Sequence, residues 1–239
     1  MPQAHPPKSG WQVIESLSSL APLFRRPTSQ CTTRSFFTPA TRKGALLGMV
    51  APAEQDRLIA GVEIFTRPSA LAAVQASPEY RDAASSLATA APAPHLTTWY
   101  PTAGFVARRN QIETGPAQIV MLAKFVVRDG DGLREKLVDV LGKYCSWVES
   151  NELTTLTYSV LTRPDAPNEV LMFERYKDLQ ALGEHSKTAQ FRAMFKATGP
   201  FIQAKKTLLS EWNELDGSFV SNFPGGGGGI GGIGAQAKL

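Results

Sequence analysis

The run from Glu169 to Arg192, EVLMFERYKDLQALGEHSKTAQFR, changes its periodicity midway, and that change limits the folds open to the chain. Val170, Leu171, Met172 and Phe173 form an apolar run that continues into Glu174, Arg175 and Tyr176 and reads as a strand. Lys177-Asp178 breaks it. Leu179, Leu182, Phe191, Met194 and Phe195 then recur at helical spacing, and His185 sits between the two helical pieces.

The flanking sequence completes a unit over residues 118–213. Ile119 to Arg128 reads as a strand rich in Val, Ile and Phe, followed by a turn at Asp129-Gly-Asp-Gly132 in which Asp131 is placed to cap a helix. Leu133, Leu137, Val140, Leu141, Tyr144 and Val148 make one apolar helical stripe. Thr154 to Thr162 alternates as a strand, with Leu156, Tyr158 and Val160 on one face. Arg163 to Asn168 is a turn, and Lys205 to Trp212 reads as the last strand. The order β-α-β-β-α-β is a ferredoxin-like α+β plan with an antiparallel sheet.

Residues 44–112 repeat part of this unit. Gly44–Val50 and Leu58–Phe65 read as strands, Pro68–Ser86 as a helix and Leu96–Ala107 as a strand. An offset of 111 positions lays Glu63 on Glu174, Ala70-Leu71 on Ala181-Leu182, Tyr80 on Phe191 and Arg81 on Arg192. The opening strand and helix of this first copy would fall in residues 1–43 and are expected to be missing or distorted. Residues 113–117 read as a linker.

Residues 1–43 carry six basic groups (Lys8, Arg25, Arg26, Arg34, Arg42, Lys43) against the single acid Glu15, within a chain whose net charge is +4. The basic character is therefore local, and nucleic-acid binding is not expected. This Pro-, Ser- and Arg-rich arm reads as poorly structured or as a degraded first element of the next domain, and its run from Phe24 to Lys43 has the composition of a mitochondrial transit segment. No apolar run approaches the ~18 residues that span a membrane. Cys31 and Cys145 have no metal-ligand or disulfide spacing, which favours an intracellular setting. Residues 217–239, with glycines at 225–229, read as a flexible tail. It ends Ala237-Lys238-Leu239, similar to a peroxisomal S-K-L signal; cytoplasm and mitochondrion are the alternatives.

The strand end Phe173-Glu174-Arg175-Tyr176, followed by Ala181-Leu182 and His185, resembles the antibiotic biosynthesis monooxygenase (ABM) family, with Tyr176 where the family has Trp. Ser77-Pro78-Glu79-Tyr80 is similar to the family's S-P-x-F helix opening. The resemblance implies a dimeric α/β barrel, here built within one chain from two tandem ABM-like repeats, the first incomplete; a further homodimer is left open. A sheet with helices on one face leaves its other face bare, and a second copy covers it, at about 25 cal/mol per Å² of apolar surface buried. The resemblance also implies oxidation of an electron-rich aromatic (a phenol, hydroquinone or anthrone, as in secondary metabolism) by O₂ without a cofactor.

His185 is then the candidate base or proton shuttle, against the alternative of a hydrogen-bonded histidine at a helix end. Tyr158 and Tyr176 are candidates for positioning the substrate. Phe125, Trp147, Arg175 and Trp212 are candidates for contacting it, with core packing or an ion pair as the alternative. Val74 stands at the His185 position of the first copy, which makes that copy a structural partner. Dinucleotide, Walker, G-x-S-x-G and H-E-x-x-H motifs are absent, so no cofactor or metal site is expected. Rival readings are an oxygen-independent isomerase, lyase or decarboxylase on the same scaffold, and a non-catalytic binder of hydrophobic ligands. Haem degradation is disfavoured by Tyr176.

Overall fold

A computed structural model describes residues 8–55, 58–90, 95–108, 117–222 and 236–238. The helices and strands in chain order are α1 (Lys8–Ser19), α2 (Ala21–Arg25), β1 (Cys31–Pro39), β2 (Ala60–Phe65), α3 (Pro68–Gln75), α4 (Pro78–Ala90), β3 (Thr98–Phe105), β4 (Ile119–Val126), α5 (Leu133–Asn151), β5 (Thr155–Thr162), β6 (Glu169–Tyr176), α6 (Leu179–Lys187), α7 (Ala189–Thr198), β7 (Leu208–Glu214), β8 (Val220–Ser221) and β9 (Gln236–Lys238).

The unit expected over residues 118–213 is present, with sheet order β7-β4-β6-β5 and every pairing antiparallel. Period-two alternation separates its faces. Met121, Ala123, Phe125, Val170, Met172, Tyr158 and Val160 pack beneath the helices with Leu137, Leu141 and Val148. Val120, Leu122, Leu161, Leu171, Phe173 and Trp212 face the other way. The helical layer breaks where the side chains demand it. Asp178 caps α6 through Ala181 N–H, and Thr188 caps α7 through Phe191 N–H. Asp131 does not cap α5; Gly132, with φ of 72°, occupies the N-cap without a side-chain bond.

The first copy departs from expectation at its start. Residues 8–43 are not an unstructured arm, for α1, α2 and β1 all lie within them; residues 1–7 lie outside the described residues. α1 packs on α4 as α5 packs on α7, so the opening helix expected to be missing or distorted is present. Gly44–Val50 is not a strand. It belongs to the long connection after β1, touching the sheet through an isolated bridge from Leu47 to Ser210 and a bond from Gly48 N–H to Leu209 O. The strand that pairs with β2 is β1, whose Arg34 lies opposite Glu63. The helix expected over Pro68–Ser86 divides into α3 and α4 at Ser77-Pro78, and β2, α3, α4 and β3 follow β6, α6, α7 and β7 at the 111-residue offset. Of the linker expected over residues 113–117, residues 113–116 lie outside the described residues.

β1 pairs with both β2 and β7, and β3 pairs with β5, so the sheet closes on itself. Each seam joins the second strand of one copy to the last strand of the other. Phe37, Val62, Ile64 and Trp99 of the first copy meet the inner face of the complete one. This interior also holds a charge pair. Arg175 donates two bonds of 2.7 Å to Glu214, and both side chains are fully buried. Ser35 Oγ and Ala117 N–H also donate to Glu214, and Phe219 stacks on the Arg175 guanidinium.

The tail is not wholly a free tether. Val220–Ser221 pairs with β1, and Gln236–Lys238 lies between β2 and β3, antiparallel to both. Ala237 and Lys238 are therefore paired in the sheet rather than held out on an exposed tether. Residues 223–235 lie outside the described residues. Among the described residues no helix is long and apolar enough to cross a membrane.

Two substitutions test this closure. Arg175→Ala leaves Glu214 buried without its cation and is expected to lower the unfolding free energy by about 3–5 kcal/mol. Gly104, at the β3–β5 seam, has φ of 85°, and a Cβ there would stand 2.1 Å from Tyr158 O. Gly104→Ala is expected to cost at least about 1–3 kcal/mol. Urea unfolding of each purified variant measures both values.

Candidate functional site

His185 lies in the last turn of α6, buried against the sheet with 2% of its surface exposed. The Asp178 cap sets where α6 begins, and two turns later the histidine projects towards the outer face of β5 and β6. That face carries Tyr158 and, two residues apart on β6, Glu174 and Tyr176. The end of α5 supplies Glu152 from the turn into β5.

These groups form one hydrogen-bonded line. His185 Nδ1 is 2.6 Å from Glu152 Oε2. A carboxylate oxygen accepts, so the Nδ1–H donates to Glu152, and Nε2 faces the Tyr158 hydroxyl at 3.5 Å. Tyr176 Oη donates to Glu174 Oε2 at 2.7 Å, and Tyr158 lies opposite Glu174 in register. Thr155 Oγ1 donates to Glu152 at 3.0 Å. Arg108, just beyond β3, donates to the carbonyls of Thr155, Glu149 and Glu152 and so fixes the turn that carries Glu152. Two buried polar atoms here, Tyr144 Oη and Glu152 Oε1, have no hydrogen-bond partner among the described residues.

Aromatic rings enclose the histidine. Tyr144, Tyr158, Tyr176 and Phe191 have centroids 5.7, 5.2, 5.2 and 5.1 Å from the imidazole. The rings continue outward, with Trp147 stacked on Tyr144 and Phe195 against Phe191. Trp147 is half-buried and Phe195 exposed.

Burial sets the protonation states. Desolvation pushes Tyr158 and Tyr176 well above the ordinary phenol range, with the Glu174 charge adding to it, so both hydroxyls keep their protons. Desolvation also raises Glu174, opposed by His185 and by the hydroxyls of Tyr176 and Tyr158. The site thus combines an imidazole, protonated phenols and a carboxyl inclined to hold its proton. Among the described residues no three of His, Cys, Asp and Glu come together as a metal-ligand set.

The first copy shows what this site is not. Glu63 stands at the Glu174 position, but Arg34 takes the register position of Tyr158, Phe65 that of Tyr176 and Val74 that of His185. Arg34 is fully buried, pairs with Glu63 at 3.4 Å and lies 4.5 Å from the rings of both Phe24 and Phe36. A fixed cation there replaces the titratable groups.

Of the residues singled out in the sequence, His185, Tyr158 and Tyr176 come together, with Phe125 and Trp147 in the same core. Arg175 and Trp212 do not join them. Both face the barrel interior, Arg175 on Glu214 and Trp212 edge-on to Phe37. Their parity on β6 and β7 opposes that of Glu174 and Glu211. Glu152 and the Tyr144 hydroxyl were missed. Glu152 lies 33 positions from His185, and no local pattern joins them. Tyr144 sits in an apolar stripe that hides its hydroxyl.

Residues 119–197 match the profile of a family described as antibiotic biosynthesis monooxygenase. A protein of Lactobacillus acidophilus described as a candidate monooxygenase superposes with a TM-score of 0.66 at 15% identity, covering 88% of this chain and 89% of its own. Another, from Fusobacterium nucleatum, gives 0.62 at 15% identity, covering 87% and 88%. Both likenesses show the fold, and they span the two copies together. No curated protein matches the chain significantly in sequence.

The raised Glu174 carboxyl has a consequence for stability. The folded chain holds a proton there that the unfolded chain releases, so this group's contribution is full in acid and is lost as pH rises through the raised value. Gln cannot ionise and still accepts from Tyr176. Glu174→Gln is expected to match the parent near pH ~4 and to exceed it in urea midpoint near pH ~8. An equal pH dependence in both proteins would show that Glu174 is ionised like a surface carboxylate.

Proposed function

With residues 119–197 an antibiotic biosynthesis monooxygenase domain, we propose that the protein oxidises an electron-rich aromatic small molecule with O₂, without a bound cofactor. A phenol, hydroquinone or anthrone is the substrate class. The observation that supports this reading is the line from Glu152 through His185 to Tyr158, buried inside a box of aromatic rings.

Glu152 holds the imidazole with its Nε2 lone pair turned inward, as a general base requires. Nε2 removes a phenolic or benzylic proton from a substrate lying among Tyr144, Tyr158 and Phe191. The hydroxyls of Tyr158 and Tyr144 donate to the oxygen on which negative charge collects. The resulting anion passes one electron to O₂. Recombination of the two radicals gives a hydroperoxide, which loses water to leave a quinone; for an anthrone, one oxygen atom enters the product and the other leaves as water. The substrate supplies all the electrons. The apolar surroundings protect the anion from reprotonation by solvent. Trp147 and Phe195 extend the rings to the surface.

Oxygen uptake by the purified protein on a panel of anthrones and hydroquinones tests this reading. Uptake above autoxidation is expected to fall about 10²–10⁴-fold in His185→Ala, with one atom of ¹⁸O₂ in the quinone. Turnover without oxygen consumption would make it an isomerase, lyase or decarboxylase. Ligand retention without turnover, unchanged in His185→Ala, would make it a binding protein.

A further inference from the structure

The complete copy places β4 between β7 and β6, antiparallel to both. The first copy has counterparts of β7, β6 and β5 in β3, β2 and β1, but among the described residues no N-terminal strand matches β4. That position is nevertheless filled. Gln236–Lys238 lies between β3 and β2, antiparallel to both, with Ala237 opposite Ile64 and Trp99. We propose that the gap between β2 and β3 is a strand-accepting groove, and that its resident occupant is this chain's own Gln236–Lys238 segment, standing in for the strand the first copy lacks.

The groove has a clear requirement. Without an occupant, β2 at Glu63–Phe65 and β3 at Thr98–Trp99 would present unpaired backbone groups along a gap in an otherwise closed sheet. Ile64 and Trp99 on those strands belong to the shared interior and are nearly fully buried. An extended segment running antiparallel to both neighbours satisfies them through its main chain, in the manner of strand addition. The stretch joining Asn222 to Gln236 has 13 residues, eight of them glycine. At about 3.3 Å per residue its extended length reaches roughly 40 Å. The fit is partial. β4 pairs with all eight residues of β6, whereas β9 meets only three of β2. A segment held by so few bonds is an exchangeable insert, and a peptide of the same sequence can compete for the groove.

Thr98 and Lys238 are paired in register. Antiparallel partners have Cα atoms about 4.5–5.5 Å apart, within reach of a disulfide. In the full chain, Thr98→Cys with Lys238→Cys is expected to form an intrachain disulfide under mild oxidation, seen as a monomeric species by mass. No disulfide would overturn the proposal. A disulfide formed only between chains would overturn its assignment to the same chain. Ala237→Pro supplies a second arm, because proline removes a donor from a strand flanked on both sides. Amides of residues 60–66 and 97–100 are expected to exchange at least about tenfold faster, those of β4 are expected not to change, and a synthetic peptide of residues 230–239 added in excess is expected to restore protection. Unchanged exchange at 60–66 and 97–100 would show that the groove is closed without this segment.

Discussion

An antiparallel sheet that is apolar on both faces has to be covered twice. In β4–β7 the outer face is covered by α5, α6 and α7, and the inner face carries Val120, Leu122, Leu171, Phe173 and Trp212. Helices of the same copy cannot reach that side. The first copy meets it with Phe37, Val62, Ile64 and Trp99, and the two seams remove the sheet edges as they close the interior. Everything else follows from this arrangement. The charge pair of Arg175 and Glu214 is tolerated because it is bidentate and further bonded by Ser35 and Ala117. Arg108, at the end of the first copy's last strand, is brought to the turn that carries Glu152.

The paired glutamates show how two different environments are built at one place in a fold. Glu63 and Glu174 sit at matching points on matching strands. Beside Glu63 stands Arg34, a permanent cation clasped by two rings, and the carboxylate is neutralised for good. Beside Glu174 stand two phenols and a histidine, and burial lifts its affinity for a proton. The first environment holds a fixed charge and the second favours a bound proton. Only the neighbours differ.

Local periodicity made much of this legible in the sequence. The strand from Val170, the broken helix after it and the place of His185 follow from the change in spacing along one stretch, and the repeat extends that reading to β2, α3, α4 and β3. Where charge overrode pattern, the reading failed. Arg34 lies in mid-strand among hydroxyl residues, and β1 resembles an unstructured arm until Glu63 and the rings of Phe24 and Phe36 surround it. Glu152 could not be found from sequence, because its tie to His185 depends on how α5 is packed against α6. Arg175 and Glu174 were separable by parity alone, yet parity does not say which face holds the site. The three residues of β9 carry no strand signal of their own; the gap they occupy defines them.

Fusing two copies into one chain also removes a symmetry. A barrel assembled from two identical subunits carries each side chain twice, and any site occurs at both of its ends. Here Val74 and Arg34 stand where a second histidine and tyrosine would be. Among the described residues the cluster of histidine, phenols and carboxyls therefore occurs at one end of the barrel, and the other end holds a buried ion pair in its place.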